Sequence, residues 1–353
     1  MNALGELPDK DKDLILPIFP LKGWVGAHKL EKATDRIKKA IGDRHWIADI
    51  DSSYLYDNKE YLLTGKYPRE VFSELEVLLD AKDGYNAWYE YLVHLPKAIP
   101  VVQWGSSTEL EAQIIKLLTL ERGLVIIVTP KTAQNQIQKA LETLSELKAR
   151  NVFFIFDVGQ ITSKDLNTVG NIVPLIQHVK DKIIGCVFSI SSSSFPTGFS
   201  GYNNGENAIY ERQLFKKISK SCEDVKMIYS DRGSARAVKL SGGGGIPSPR
   251  IDYPLKDDWR FIRKEFEEPE SPKDSEKEEL YTKVAKEIMT AEYWNPELRL
   301  WGTQIIELTS KRDRLGINSP AKATAVRINI HLHLQLHYGI DISTINTDED
   351  WDD

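Results

Sequence analysis

Carboxylates end several of the strand-like runs in this sequence. Asp49 and Asp51 end one such run, and Asp157 ends another. Asp49 and Asp51 are two residues apart, so on a strand their side chains face the same side. With Asp157 nearby, they can hold a divalent cation or share a proton in acid–base catalysis. We therefore predict Asp49, Asp51 and Asp157 as catalytic residues, with the cofactor unknown and a divalent metal as the candidate.

A second set of polar residues follows the same kind of run and suits ligand binding. Lys22, Arg232 and Arg250 can clamp an anion such as phosphate, the two arginines through paired hydrogen bonds. A structural role stays open for each residue, because strand-end aspartates often cap the next turn and arginine–aspartate pairs often bridge loops. The other predicted ligand-binding residues are Gln103, Trp104, Ser189 and Asp231.

The histidines near the C-terminus are His331, His333 and His337. On a helix, His333 and His337 would lie one turn apart on a shared face, as zinc ligands can. The sequence shows no obvious third ligand, and no glutamate stands between the two in the metalloprotease position. We therefore predict no metal site among them. The segment 326–336 also alternates apolar residues with a period of two, which is typical of a strand rather than a helix.

Two further segments lack the complete motif of a catalytic loop. The run Gly242–Gly245 is not followed by the Lys-Ser/Thr pair of a phosphate-binding loop. No Gly-x-Ser-x-Gly elbow surrounds any serine in 189–194. We interpret both segments as ordinary loops.

Strand-like runs of β-branched and aromatic residues alternate with stretches of helical periodicity. The fold built from these strands and helices must bring the polar residues together. Eight such units fit either a doubly wound open sheet or a closed barrel. The count of eight favours the barrel, and no glycine fingerprint of a doubly wound sheet follows the first run. We predict an α/β fold, a TIM-like (β/α)8 barrel with its site at the strand carboxyl ends. The runs are 14–19, 46–51, 99–104, 124–129, 152–157, 183–189, 225–229 and 250–253, with 259–262 continuing the last.

The regular alternation is interrupted after the second strand and ends before the C-terminal quarter. The barrel is predicted to span 1–265, with a helical insertion at 52–97 that has room for two helices. A charged linker rich in Pro, Ser and Glu follows at 266–277. The segment 278–353 is predicted to hold C-terminal helices and an acidic tail.

The composition limits the classes of protein. A net charge of −6 argues against nonspecific binding to nucleic acid. No apolar run approaches the roughly 20 residues of a membrane helix, and the N-terminus is too polar for a signal peptide. The two cysteines follow no disulfide pattern. We expect a cytoplasmic protein with reduced thiols and no membrane association.

Several short motifs, in order along the chain, resemble the beta protein family of satellite phages, prophages and bacterial genomes. They include the apolar strand ending at Pro20 and Lys22, Tyr-Ser-Asp-Arg-Gly-Ser-Ala at 229–235, Pro-Arg-Ile-Asp-Tyr at 249–253 and Trp-Arg-Phe-Ile-Arg at 259–263. Leu-Trp-Gly-Thr-Gln at 300–304 and Ile-Asn-Ile-His-Leu-His at 328–333 follow. The family's doubled histidine is split here by Leu332. The resemblance implies a packed helix at 326–336, and we adopt that interpretation over a strand.

The resemblance implies a setting rather than a reaction, because the family has no assigned biochemical activity. Its founding member counteracts a neighbouring growth-killing gene in a cassette linked to exclusion of other phages. We therefore expect a role in phage–host conflict, either in anti-phage defence or as antagonist of a partner toxin. The protein would bind a protein partner or a small anionic ligand such as a nucleotide at the barrel mouth. The alternative is a metal-assisted or acid–base phosphoester hydrolase that uses the strand-end carboxylates.

Overall fold

Parallel strands form the centre of the computed structural model, which describes residues 1–24, 26–55, 57–167, 169–199, 201–238, 246–341 and 345. The glycine run 242–245 and the acidic residues 348–353 lie outside this part. Short apolar segments form these strands because both of their faces are covered. The parallel strands are β1 (Ile18–Leu21), β2 (Trp46–Ile50), β3 (Ala98–Pro100), β4 (Leu124–Val128), β5 (Val152–Gln160), β6 (Val187–Ser193) and β8 (Met227–Tyr229). The strand β7 (Asn204–Ala208) belongs to a separate antiparallel sheet.

The parallel strands form two sheets in chain order. One sheet has the order β1-β2-β3, and the other has the order β4-β5-β6-β8. An isolated parallel bridge between Val101 and Val125 connects the two sheets. The predicted alternation of parallel strands and helices is therefore confirmed, and all carboxyl ends of the strands lie at the same edge.

The closed barrel is not confirmed: in the described part of the chain, no ladder joins β8 to β1. The eighth predicted strand, β9 (Arg250–Pro254), instead pairs antiparallel with β10 (Asp258–Arg263), which also pairs with β7. The connection between β9 and β10 is a tight turn, closed by the hydrogen bond from Leu255 N to Asp258 O of 2.8 Å. Such a turn can join only antiparallel strands, since a parallel pair needs a long crossover. The segment 259–262 is thus the partner of the eighth strand rather than its continuation.

Helices cover the sheets and build the insertion. The insertion contains three α-helices rather than the predicted two. The predicted linker 266–277 becomes helical at Asp274. No helix in the described ranges combines the length and apolar character needed to cross a bilayer. The helices are α1 (Asn2–Gly5), α2 (Asp9–Lys12), α3 (Leu30–Ile41), α4 (Lys59–Thr64), α5 (Glu70–Leu78), α6 (Lys82–Val93), α7 (Leu110–Leu118), α8 (Gln134–Glu146), α9 (Val169–Lys182), α10 (Tyr210–Ser221), α11 (Asp274–Met289), α12 (Trp301–Ser310) and α13 (Pro320–Leu336).

Apolar side chains pack on both faces of the parallel strands. The outer face packs against α3 and α5 to α10 in the largest core. A smaller inner layer contains Ile47, Ile99, Val125 and Ile155. A second large core lies under β9 and is built from α11, α12 and α13. The inner layer matters for function, because the residues that follow it along each strand form the sheet's carboxyl edge.

Most of the surface of helix α13 is covered by other parts of the protein, and after its first two residues none of its residues is fully exposed. Ser319 caps its first turn by accepting a hydrogen bond from Lys322 N, and Pro320 stands where a helix tolerates proline. The helix packs against β9, α12 and α1. A helix with little solvent-exposed surface can carry apolar residues around most of its circumference, so these residues need not follow the helical period. This explains the misleading period of two at 326–336, and the predicted helix is confirmed.

Candidate functional site

Polar side chains continue the inner apolar layer at the carboxyl edge of the sheet. Asp49 and Asp157 each lie two residues beyond a member of that layer, so they extend the same face. The side-chain amide of Gln103 donates to Asp49 Oδ1 over 3.0 Å. Asp49 and Asp157 also lie close enough for their charges to interact. Three of the residues predicted from sequence therefore meet at one edge.

The carboxyl group of Asp49 has an unusual acidity. Burial raises the pKa of Asp49 from 3.8 to about 6. The hydrogen bond from Gln103 opposes this increase, whereas the negative charges of Asp51 and Asp157 add to it. A carboxyl group that titrates near neutral pH is suited to take up and release protons.

The second predicted carboxylate, Asp51, has a structural partner of its own. β2 ends at Ile50, but Asp51 keeps an extended backbone, and its N–H donates to Leu21 O over 2.9 Å. Its carboxylate caps the following 3-10 helix by accepting hydrogen bonds from Ser53 N at 3.0 Å and Ser53 Oγ at 2.5 Å. Lys22 Nζ lies 3.5 Å from the other oxygen of Asp51.

The third predicted carboxylate, Asp157, forms an ion pair with Arg232. Its other oxygen accepts a hydrogen bond from Gly159 N over 3.0 Å. Each strand-end carboxylate is thus held by a different neighbour. Among the described residues, Asp49, Asp51 and Asp157 do not form a group with three oxygens in metal-coordinating range.

Trp104 and Ser189 bind backbone atoms of neighbouring strands. The Trp104 indole N–H donates to Ile127 O over 2.8 Å. The Ser189 hydroxyl donates to Ile228 O, also over 2.8 Å, and contacts the hydroxyl of Ser230. These contacts hold the strand ends in register.

Asp231 fastens α13 to the end of β8. Its buried carboxylate accepts hydrogen bonds from the Tyr229 hydroxyl at 2.7 Å and Gly233 N at 2.6 Å, and lies 2.9 Å from His331 Nε2. Burial alone would raise the pKa of Asp231, but the charge of His331 and these hydrogen bonds outweigh it and bring the pKa to about 2. Asp231 is therefore an ionised anchor for the helix.

Arg250 belongs to a different group from Lys22 and Arg232. Arg250 Nε lies 2.8 Å from Asp252 Oδ1, and Arg327 Nη1 lies 2.7 Å from Asp252 Oδ2. Arg236 completes the group, which we call the arginine cluster: Arg236, Arg250 and Arg327. Within the described residues, the charges that act most strongly on Arg327 are Asp252 and the other two guanidinium groups. Two cations thus pair directly with one carboxylate, and a third lies near enough for its charge to act on them.

Aromatic rings and loop carbonyls hold the arginine cluster in place. The guanidinium carbon of Arg250 lies 3.5 Å from the ring centre of Phe199, and that of Arg327 lies 3.9 Å from the ring centre of Phe195. Arg236 Nε donates to Pro196 O over 2.9 Å. Burial lowers the pKa of Arg236, and the nearby positive charge of Arg250 lowers it further, because both disfavour the cationic form. The arrangement holds a positive surplus at the loops that follow β6 and β8.

Sequence reasoning identified Arg250 and missed the other two arginines of the cluster. Arg236 stands four residues after Arg232 in the same loop, so the loop itself was a usable signal. Arg327 comes from α13 and has no local motif that connects it with β9. Its place in the cluster follows only from the packing of α13 against β9.

The parallel strands and their covering helices make the chain an α/β protein, a class in which binding sites commonly lie at the carboxyl ends of the strands. The chain belongs to the beta protein family, whose profile, described as "Beta protein", matches residues 1–337. A relative, Protein beta of Enterobacteria phage P4, is 28% identical over 336 residues, which cover 93% of this chain and 87% of the phage protein. No solved structure shows significant similarity to the chain.

Proposed function

We propose that this protein acts in phage–host conflict by binding a phosphate-bearing ligand at the arginine cluster. The observation that carries the proposal is the excess of positive charge around Asp252: Arg250 and Arg327 pair with this carboxylate, and Arg236 lies close enough for its charge to act on Arg327. An anion would offset the positive surplus. Arginine is suited to this role because its planar fork donates two parallel hydrogen bonds to phosphate oxygens.

The exposure of the three arginines supports an order of contact with the ligand. Arg327 is 6% exposed and Arg250 is 21% exposed at the side chain, so Arg327 supports the site from below while Arg250 reaches the surface. Arg236 is also partly exposed. Arg236 and Arg250 are therefore the proposed ligand contacts, and Arg327 orients Asp252.

The setting of phage–host conflict rests on the family and on the phage origin of the relative. Within that setting, the protein would sense or sequester a phosphate-bearing molecule, in anti-phage defence or as the antagonist of a toxin. A partner protein could be engaged by the insertion, where Leu62 and Leu63 are 69% and 86% exposed.

Titration calorimetry with pyrophosphate and with ATP tests the proposal. We expect saturable binding that weakens as salt concentration rises, since part of the attraction is between exposed charges. Arg236→Gln should weaken binding at least about tenfold, which is the loss of roughly one charge-assisted contact. Arg150→Gln is the matched control, because it changes an exposed arginine that is not part of the arginine cluster. Equal affinity of both variants would exclude the arginine cluster as the binding site.

The same variants connect binding with the cellular role. Phage plating and host survival are scored beside the yield of folded protein. If Arg236→Gln folds and loses phosphate binding yet protects as well as the wild type, ligand binding and protection are separate, and the proposed role is wrong.

A second candidate function is acid–base hydrolysis of phosphoesters with Asp49 as the proton acceptor. The pKa of about 6 for Asp49 favours it, because the carboxylate is ionised at neutral pH and still basic. Asp49→Asn should abolish any hydrolysis of a nitrophenyl phosphodiester while leaving phosphate binding unchanged. Wild-type protein without turnover on phosphomonoesters and phosphodiesters would remove this candidate.

A further inference from the structure

A fully buried carboxylate lies between two histidines at the end of α13. Asp11 Oδ2 is 2.6 Å from His333 Nδ1, and Asp11 Oδ1 is 2.8 Å from His337 Nε2. The two histidines are one helical turn apart, so their rings point in the same direction. One ligand atom from each of the three residues lies within 4.8 Å of the others.

The three side chains are shielded from water. The exposed fractions are 0% for Asp11, 0% for His333 and 12% for His337. Burial disfavours an ionised carboxylate, and the two imidazoles are the groups in contact with this one. A buried anion of this kind needs a positive partner close by. That partner is either a proton on an imidazole or a bound cation.

The donor set matches the coordination preferences of a transition metal. One carboxylate oxygen and two imidazole nitrogens, with a fourth position for water, form a common zinc ligand set. Atoms bonded to zinc at about 2.1 Å stand roughly 3.4 Å apart in a tetrahedral site. The Asp11 carboxylate would therefore need to withdraw by less than about 1 Å. His337, which is partly exposed, lies on the side from which an ion and its water could enter.

Among the described residues, the polar contact of His333 is with Asp11. Its Nε2 atom is buried without a hydrogen bond to any described residue. Its polar contact is therefore made through Nδ1, the atom that faces Asp11.

We propose that Asp11, His333 and His337 form a binding site for a divalent transition metal ion, with Zn²⁺ as the expected occupant. The ligands come from α2 and from the end of α13, so the ion would clamp the N-terminal helices to the last helix of the fold. The site is separate from the arginine cluster and does not depend on its ligand. Sequence analysis predicted no metal here because the third ligand, Asp11, stands 322 residues before His333.

Metal content is measured on full-length protein purified through a tag without histidine, because a histidine tag would bind zinc itself. Chelator-treated protein is then titrated with ZnCl₂ in a calorimeter. We expect one ion per chain and a rise of about 4 °C in the unfolding midpoint at zinc concentrations 100-fold above Kd. With CoCl₂, the visible absorption of a tetrahedral site should appear.

Variants separate coordination from folding. Asp11→Asn and His337→Gln should each lower zinc affinity at least tenfold, whereas His178→Gln, at an exposed position on α9, should bind as the wild type does. If Asp11→Asn does not fold, His337→Gln still decides the matter, because His337 lies at the open side of the site. Wild-type protein that binds no stoichiometric zinc and gives no cobalt spectrum would overturn the proposal and leave a metal-free hydrogen-bonded triad. Undiminished binding by His337→Gln would overturn it equally.

Discussion

Replacing Asp49 by asparagine should change the pH dependence of stability in a defined direction. The asparagine keeps the shape of the side chain and the oxygen that accepts from Gln103, and it removes the charge. The pKa of Asp49 is about 6 in the folded protein, against 3.8 for the ordinary group. The folded state therefore holds its proton more tightly than the unfolded state. Ionising Asp49 weakens the fold as pH rises through this range.

The magnitude follows from the two pKa values. Between pH 5 and pH 8, ionisation of Asp49 should destabilise the wild type by about 1.5 kcal/mol relative to the variant. Urea unfolding of both proteins at the two pH values measures this quantity, because the titration of all other groups cancels in the difference. Asp49→Asn should gain stability over the wild type on going to pH 8. A difference that is the same at both pH values would refute the raised pKa, and with it the case for Asp49 as a base.

Three further perturbations test the packing around α13. Gly302→Ala should cost about 1–3 kcal/mol, because its Cβ would lie 2.9 Å from Val326 O; chemical denaturation measures the loss. Asp231→Asn should destabilise the protein by about 2 kcal/mol at pH 7. The pKa of Asp231 is depressed to about 2, so this difference should vanish as pH falls from about 4 to 2, and a constant difference would contradict the assignment. Deleting residues 1–12 should cost at least about 2 kcal/mol, because the buried Asn329 amide loses its acceptor; unchanged thermal stability would show that the contact contributes little.

Much of the parallel sheet could be predicted from the chain because its strands are apolar on both faces. The runs at 46–51 and 124–129 differ from β2 and β4 by one residue at most. The predicted start of one strand was too early, because the apolar run at 183–189 begins directly after a helix. Ile183 follows the end of α9, and β6 begins only at Val187. The strand β7 was missed because its sequence, Asn-Gly-Glu-Asn-Ala, has almost no strand-forming residues. The extended conformation of β7 comes from its antiparallel pairing with β10.

From the sequence, only those site residues could be predicted that stand at the end of a recognisable strand. Strand ends identify Asp49, Asp157 and Gln103 because parallel strands share a carboxyl edge. Local sequence contains no information that joins Arg327 to Asp252 or Asp11 to His333. Those contacts exist because α13 packs between β9 and the N-terminal helices. Tertiary packing of this kind has no signature in a single sequence.

The central position of α13 has a consequence for how the protein is made. Asn329 donates to Ala3 O across 326 residues of chain, so this contact of the first helix forms only when the last helix is present. Because α13 begins at Pro320, almost the entire chain must leave the ribosome before this contact can form. A nascent chain halted earlier would expose the apolar surface of the second core, including Ile251 and Tyr281. The contact between the first and last helices is therefore expected to form late, only after α13 has left the ribosome, and chaperones are expected to protect the unfinished protein until then.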